Sequence, residues 1–405
     1  MNAGSMRDKR TIQTAGPGST SELRRTRISV SLIFLIHGIL VSNWLSRIPA
    51  VRAKLHLSMA VLGATLLAAA AGALLAMPLT SKLVGRFGSA RVTRASTLGL
   101  CICVVLPGLA WNAPALAAAL FAYGAAAGVM DVAMNTEAVA VEAAYGRPVM
   151  VSFHALFSFG GMIGSLMGSV AAGHAIEPRW HLAAVGGVLA AASIPVCRHL
   201  LANNSEPLPD SRSTRKLLRP LIGLGVLAFC ILLGEGAMAD WSAVYLGQLS
   251  GPGVAPLGYA VFSLSMALGR LRGDWFHERL GSVATVRWGA ALAAAGLASA
   301  LLAGGVPATL AGFACAGWGF SAIFPILCSV AGKQAADQPQ AGIAAVATTG
   351  YLGFLVGPPV IGFLAQASSL RTALLLVAAL SGLASVMARI ARSDPMVGVE
   401  PENAQ

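Results

Sequence analysis

An acidic residue, Asp131, lies inside a long apolar stretch of the sequence, residues 114–138. Asn135 follows it by four positions, and Gly124 and Gly128 precede it by seven and three. On a helix these four residues share one face. A carboxyl group removed from bulk water can gain and lose a proton near neutral pH. The spacing therefore predicts a proton-exchanging site with room beside it, and an acid that only pairs with a neighbouring helix is the alternative.

The composition indicates that this face lies in a membrane. Of the 405 residues, 56% are hydrophobic and 11% are charged, whereas typical soluble domains have about 25% charged residues. The net charge is +12, but the Lys and Arg residues lie mainly in short gaps between apolar runs, which is typical of membrane orientation and not of nucleic-acid binding. The six cysteines lie in apolar runs without metal-binding spacing, so no metal or cofactor is predicted.

The hydropathy pattern predicts an all-α membrane protein with twelve transmembrane helices. The predicted spans are 28–46, 58–81, 92–111, 114–138, 150–173, 181–198, 219–243, 254–272, 284–303, 308–330, 341–366 and 370–390. With this assignment, 23 of the 28 Lys and Arg residues fall on one side of the membrane. The positive-inside rule then predicts a multi-pass protein of the bacterial inner (plasma) membrane with both termini in the cytoplasm.

A polar linker, residues 199–218, separates six predicted spans from six. The loop "RFGSARVTR" at 86–94 is matched by "RLGSVATVR" at 279–287. This internal repeat predicts two pseudo-symmetric six-helix halves around a central cavity, a plan common among secondary transporters. The predicted organisation is a cytoplasmic tail (1–27), a first bundle (28–198), the cytoplasmic linker (199–218), a second bundle (219–390) and a cytoplasmic C-terminal tail (391–405).

These loops resemble the conserved cytoplasmic motif of the major facilitator superfamily, and the resemblance covers about residues 28–390. In "SKLVGRFGSAR", Arg86 matches the motif, but Gly85 stands where the family has an acid. The second copy, "GRLRGDWFHERLG", keeps an acid–base pair at Glu278 and Arg279, with Asp274 upstream. The resemblance implies a gating role for these charged residues: Arg86, Asp274, Glu278 and Arg279.

Within that superfamily, residues 128–164 resemble the fucose–proton symporter branch. The matches are Asp131, Asn135 and His154, where the branch has Glu, Asn and Asn. The resemblance implies that helices 1, 4, 7 and 10 line the central cavity. The Gly-Pro signature of drug antiporters on helix 5 is absent, and the sequence there is "FSFGGMIGSLMG".

Several polar residues in the spans are therefore candidates for the transport site. Asp131 and Glu235 are predicted to couple protons. Glu137 and Glu142 are expected at a solvated helix end. Binding of a small solute is predicted for five residues, and for each of them simple packing is the alternative: Asn135, His154, His37, Asn43 and Trp318.

The function predicted from the sequence is alternating-access transport by a monomer in the lipid bilayer, as proton-coupled symport of a sugar-like or other small polar substrate. The alternative is proton-driven efflux of a drug-like or other apolar compound, because deep acids serve both processes. A receptor or scaffold is a third class, which the lack of a sizeable soluble domain disfavours. An enzyme is not predicted, since the sequence has no nucleotide loop, metal cluster or nucleophile arrangement.

Overall fold

The computed structural model describes residues 20–201 and 215–392, and within them all side chains except those of residues 20, 215–220 and 274. The described chain is α-helical with short connections and contains no strand. Two short 3-10 helices follow α7 and α13, at Cys197–His199 and Ala388–Ala391. The α-helices are α1 (Thr20–Lys54), α2 (Met59–Phe87), α3 (Ser89–Cys103), α4 (Leu106–Leu109), α5 (Ala113–Tyr145), α6 (Met150–Gly173), α7 (Pro178–Val196), α8 (Arg215–Leu249), α9 (Leu257–Ala303), α10 (Val306–Phe320), α11 (Ile323–Gln334), α12 (Pro339–Ala367) and α13 (Leu370–Met387).

Eleven segments of the described chain are long and apolar enough to cross a membrane. The longest helix, α9, has 47 residues. A straight helix of that length would measure about 70 Å, roughly twice the thickness of a bilayer hydrocarbon core. Gly281, with φ 77°, breaks α9 into two parts, because glycine adopts this backbone conformation readily. The first part overlaps the predicted span 254–272, and the count of twelve spans in two halves stays a prediction.

Helix packing is most extensive within the two described stretches of chain. In residues 20–201, α1 packs on α6 and α2 on α5. In residues 215–392, α9 packs on α10 and α8 on α12. The main contacts between the stretches join α6 to α9 and α2 to α12. Small residues allow these helices to approach closely: a Cβ at Gly63 would lie 2.6 Å from the Pro358 carbonyl oxygen.

The boundaries of α5 place Asp131 in the middle of a long helix. The Asn112 side chain caps its start by accepting a hydrogen bond from the Ala115 N–H at 2.8 Å. At the other end Gly146, with φ 63°, stops the helix in a left-handed conformation, as glycine commonly does. Asp131 therefore lies about halfway between the two ends of α5.

The bundle has two ends, which differ in how the helices meet. The terminus end contains the start of α1 and the end of the described chain; here the Arg27 guanidinium lies 5.1 Å from the Tyr145 ring centre. The distal end contains the start of α2 and the end of α6. There the Met59 N–H donates to Gln366 Oε1 at 3.2 Å, and the Ser169 hydroxyl donates to the Gly253 carbonyl oxygen. Both distal contacts join the first stretch of chain to the second.

Candidate functional site

A cavity of about 1150 Å³ lies between the two stretches of the chain. Its wall is formed by α2, α5 and α6 on one side and by α8, α9, α11 and α12 on the other. It extends from Asp131 to Gly85, Ala143 and Met150 near the terminus end. Small-molecule sites occupy about 300–1,000 Å³, so this cavity has room for a small solute.

Asp131 and Asn135 form a pair on the α5 wall of this cavity. The Asn135 side-chain amide donates to the Asp131 carbonyl oxygen at 2.9 Å and to its carboxyl Oδ1 at 3.2 Å. Both side chains line the cavity and are half-buried. A charged side chain in lipid costs about 2.5–3.5 kcal/mol on insertion scales. Facing a cavity reduces that cost, since water can reach the carboxyl group there and Asn135 donates a hydrogen bond to it.

Glu235 and Arg270 form a second charged region of the cavity, on α8 and α9. Both residues line the cavity, and their charges interact electrostatically. Arg270 Nη1 donates to Ser158 Oγ at 2.6 Å and to the His154 carbonyl oxygen at 3.2 Å. Glu235 was predicted from the sequence as a titrating group, whereas Arg270 was counted only among the basic residues that orient the protein in the membrane. The available signal was an arginine inside the predicted span 254–272.

An aromatic wall formed by Phe324, Tyr351 and Phe354 lies on the α11 and α12 side of the cavity. The ring centres of Phe324 and Tyr351 are 6.2 Å apart, and those of Tyr351 and Phe354 are 6.3 Å apart. Tyr351 interacts electrostatically with both Asp131 and Glu235, so the aromatic wall reaches the acids. These residues were not predicted from the sequence, although positions 351 and 354 share a helix face.

The predicted binding residue His154 lines the main cavity, whereas the two predicted residues of α1, His37 and Asn43, do not. The His154 ring contacts Phe34 edge-on, with 5.3 Å between ring centres. His37 is buried, with its ring 5.3 Å from that of Phe157. Asn43 is also buried, and its side-chain amide donates to the Ile39 carbonyl oxygen at 2.7 Å. Contact of His37 and Asn43 with substrate stays a prediction.

Trp318 lies at a second, smaller cavity of about 180 Å³ between α9 and α10. It is 36% exposed, and its ring meets Phe276 edge-on at 6.3 Å. The larger cavity is lined by other residues of this region, including Ser321 and Ala322. The predicted stacking of Trp318 on a substrate in the site of Asp131 therefore stays a prediction.

The predicted gating residues lie at the terminus end. Arg86, Glu278 and Arg279 are exposed, while the side chain of Asp274 lies outside the described residues. The Arg86 guanidinium lies 5.2 Å from the Phe87 ring centre, and that of Arg279 lies 4.5 Å from the Trp275 ring centre. With the cavity extending to this end, the structure does not show the state in which the charge cluster was predicted.

The expectation of a solvated helix end is wrong for Glu137. This side chain is fully buried and accepts hydrogen bonds from Ser89 Oγ at 2.5 Å and from the Leu201 N–H at 3.0 Å. Glu142 is half-buried and accepts from the N–H groups of Val149 and Met150 at 2.7 and 2.8 Å. The partners of Glu137 are distant in the chain, and those of Glu142 lie at the junction of the following loop and α6. Helical periodicity reveals neither set.

The chemistry that this cavity can supply is proton exchange and hydrogen bonding. Its carboxyl groups can bind protons, and its amide, imidazole and guanidinium groups can bind a polar solute. In residues 20–201 and 215–392, no group of three or more His, Cys, Asp or Glu side chains is placed to hold a metal ion.

The fold is similar to those of solved transporters. A bacterial homologue of the human lysosomal transporter Spinster, in an inward-facing and occupied conformation, superposes with a TM-score of 0.71 at 15% identity, covering 92% of this chain and 97% of that one. The Escherichia coli fucose:proton symporter superposes with a TM-score of 0.60 at 17% identity, covering 92% and 99%. At such identities the similarity shows the fold alone.

Sequence comparison establishes the family. An uncharacterised MFS-type transporter of Yersinia pestis is 37% identical over 368 residues, which cover 89% of this chain and 93% of that protein. The family model of the Major Facilitator Superfamily matches residues 30–306. The chain is thus a multi-pass membrane transporter and not an enzyme, and it belongs to the major facilitator superfamily.

Proposed function

We propose that this transporter carries a small polar, sugar-like solute together with protons by alternating access, with Asp131 as the proton-binding acid. The observation that carries the proposal is the Asp131–Asn135 pair on the cavity wall. An acid that is both shielded by the protein and open to a cavity can exchange protons while a solute occupies the same space. Glu235, on the opposite side of that cavity, is the second titrating group.

The remaining walls suit a solute with hydroxyl groups and one apolar face. Asn135 and His154 are proposed to bind hydroxyl groups. The aromatic wall of Phe324, Tyr351 and Phe354 offers flat surfaces for the CH face of a ring. Binding sites commonly combine aromatic walls with a few polar groups in this way. The fold shared with a fucose:proton symporter supports the same class of solute.

The test is uptake by proteoliposomes. A thermal-shift screen of the purified protein against sugars, organic acids and drugs first identifies a ligand, because a ligand stabilises the state that it binds. We expect that ligand to accumulate inside liposomes when a pH gradient drives protons inward, and only to equilibrate without the gradient. Equal uptake in both conditions would show that protons are not coupled.

The second candidate is proton-driven efflux of an apolar or cationic compound. The observation in its favour is that aromatic and aliphatic residues, such as Leu232 and Ile326, line much of the cavity. The same liposomes separate the two functions. A screen that selects drug-like ligands, with substrate moving against the proton flow, would support efflux and exclude symport.

The proposed topology is that of a monomer in the bacterial inner membrane, with both termini and the 199–218 linker in the cytoplasm. The excess of Lys and Arg on that side supports it. A cysteine introduced at Ser213, which lies outside the described residues, should resist an impermeant thiol reagent in intact cells and react after lysis. Labelling in intact cells would reverse the orientation.

We also propose that Asp274, Glu278, Arg279 and Arg86 form a charge cluster when the terminus end closes. Arg279→Ala should then favour the state with the cavity reaching that end and should slow transport several-fold, since the free energies that couple separate sites through a conformational change are about 1–3 kcal/mol. The measurement is thiol accessibility of a cysteine placed at Ala143. Unchanged accessibility would remove Arg279 from the gate.

A further inference from the structure

Arg270 joins α9 to α6 at the wall of the main cavity. Its Nη1 donates to Ser158 Oγ at 2.6 Å and to the His154 carbonyl oxygen at 3.2 Å. Both acceptors belong to α6, in the first stretch of the chain, whereas Arg270 belongs to the second. The hydrogen bonds therefore cross the main α6–α9 contact between the two stretches, which alternating access has to rearrange.

Arg270 lies where the α6–α9 contact ends. On its distal side the two helices are joined, because Ser263 Oγ donates to the Ser158 carbonyl oxygen at 2.8 Å. Further along, the Ser169 hydroxyl donates to the Gly253 carbonyl oxygen. On the terminus side both helices line the cavity instead, through Met150, Val151, Gly273 and His277. The Arg270 link is thus the last polar contact, among the described residues, before the helices separate.

Glu235 of α8 is the acid whose charge acts on Arg270. No ion pair within 4.0 Å joins the two among the described side chains, so the guanidinium is held by α6 in this structure. The helix α10 has no Asp, Glu, Lys, Arg or His. Other ionisable groups that face Arg270 or lie on elements packed against α9 include His154 of α6, Tyr259 of α9, Asp240 and Tyr245 of α8, Asp131, Tyr351 and His277 along the cavity, His37 and Arg47 of α1, and Lys333, Arg371 and Arg389 at helix ends.

We propose that Arg270 is a positioning residue that transmits the protonation state of Glu235 to the α6–α9 contact. An ionised Glu235 attracts the guanidinium away from α6, because opposite charges attract more strongly inside a protein than in water, whereas the acceptors on α6 are uncharged. A protonated Glu235 no longer competes, and Arg270 stays on Ser158 and His154. Proton binding therefore stabilises the arrangement seen here, with the cavity extending to the terminus end. The inference rests on the proposed proton coupling of this cavity.

The test measures the separation of α6 and α9 at the terminus end. Spin labels would be attached to Arg147→Cys and Leu280→Cys, which are both exposed positions. The labelled protein would be the full chain with its native cysteines replaced, and it would be reconstituted without substrate or gradient. We expect the ratio of long to short distances to rise about fivefold or more from about pH 9 to about pH 5. Glu235→Gln should show the low-pH distribution throughout. Arg270→Gln should lose the pH response.

Two serine variants keep the result interpretable if Arg270→Gln does not fold. Ser158→Ala removes an acceptor of Arg270 without changing any charge and should weaken the pH response. Ser263→Ala, the matched control, removes a neutral hydrogen bond of the same helix contact and should keep it. The proposal is overturned if the distance distribution of the wild type does not change with pH. It is also overturned if Arg270→Gln, Ser158→Ala or Glu235→Gln keeps a normal pH response, or if Ser263→Ala loses that response. Because this assay needs neither substrate nor gradient, its failure is separate from a failure of coupled uptake.

Discussion

Asp131 and Glu137 are two acids on the same helix whose surroundings differ. Asp131 is half-buried, faces the main cavity and has a hydrogen-bond partner one turn away, Asn135. Glu137 is fully buried, and its partners come from elsewhere in the chain: Ser89 at the start of α3 and Leu201 after the first 3-10 helix. One carboxyl group faces open space, and the other joins three segments of the protein.

The difference shows that burial of an acid in a membrane helix does not by itself identify a transport residue. The free-energy cost of removing each carboxyl group from bulk water is offset, but the two groups differ in what offsets it. For Glu137 the protein supplies the hydrogen bonds, which fixes the group in place. For Asp131 the cavity leaves room for a proton and a solute to come and go. The origin of the partners, more than the degree of burial, separates structural acids from proposed functional ones.

The largest expected effect is on coupling, in Asp131→Asn. Asparagine keeps the size and much of the hydrogen bonding but cannot bind a proton, so accumulation driven by a pH gradient should be lost while substrate binding or exchange remains. Unfolding free energy should change by less than about 0.5 kcal/mol, because the site faces a cavity. Asp131→Glu should keep partial coupling. Normal accumulation by the Asn variant would make Glu235 the next candidate.

The opposite outcome is expected for Glu137→Ala. This change leaves the Ser89 hydroxyl and the Leu201 N–H without their buried acceptor, at a cost of about 1–3 kcal/mol for each unsatisfied group. Thermal unfolding in detergent should shift down by several degrees, whereas the folded fraction should keep gradient-driven uptake. Glu137→Gln is the control, since it retains one acceptor and should recover part of the stability. Loss of coupling without loss of stability would contradict the distinction between the two acids.

A smaller effect is expected at the third acid of α5, Glu142. Its carboxylate accepts two backbone N–H groups at the start of α6, where a negative charge is favourable by about 0.3–1 kcal/mol. Glu142→Gln keeps an acceptor and loses the charge, so stability should fall by less than about 1 kcal/mol, with uptake unchanged. A loss of stability comparable to that of Glu137→Ala would contradict the smaller structural role expected for Glu142.

The sequence allowed the α-helical membrane class and the positions of most spans to be predicted, because long apolar runs in a bilayer have few alternatives to helix. It also predicted Asp131, Asn135, Glu235 and His154, all of which line the main cavity. Small and polar residues at helical spacing carried that prediction.

Other features depend on neighbours that are distant in the chain. The count of basic residues included Arg270 among those that orient the membrane, yet this side chain donates to α6, more than 100 positions away. The prediction that Glu137 lies at a solvated helix end was wrong for the same reason, since its partner Leu201 is 64 positions away.

His37 and Asn43 are on a correctly predicted span, but the rotation of the helix about its axis decides whether such residues face a cavity or a neighbouring helix. Hydropathy contains little information on that rotation.

The hydrogen bonds that join the two stretches of chain at the distal end are electrically neutral. The two hydrogen bonds there involve Met59 with Gln366 and Ser169 with Gly253, and a Cβ at Gly253 would lie 3.1 Å from the Cα of Gly173. Screening by salt acts on charges and hardly affects such contacts. The terminus end, by contrast, presents Arg86, Glu278 and Arg279 to solvent. Ionic strength on that side should therefore alter the balance between conformations, while salt on the distal side should have little effect on the two neutral hydrogen bonds that join the stretches there, which gives the transporter a directional response to its ionic surroundings.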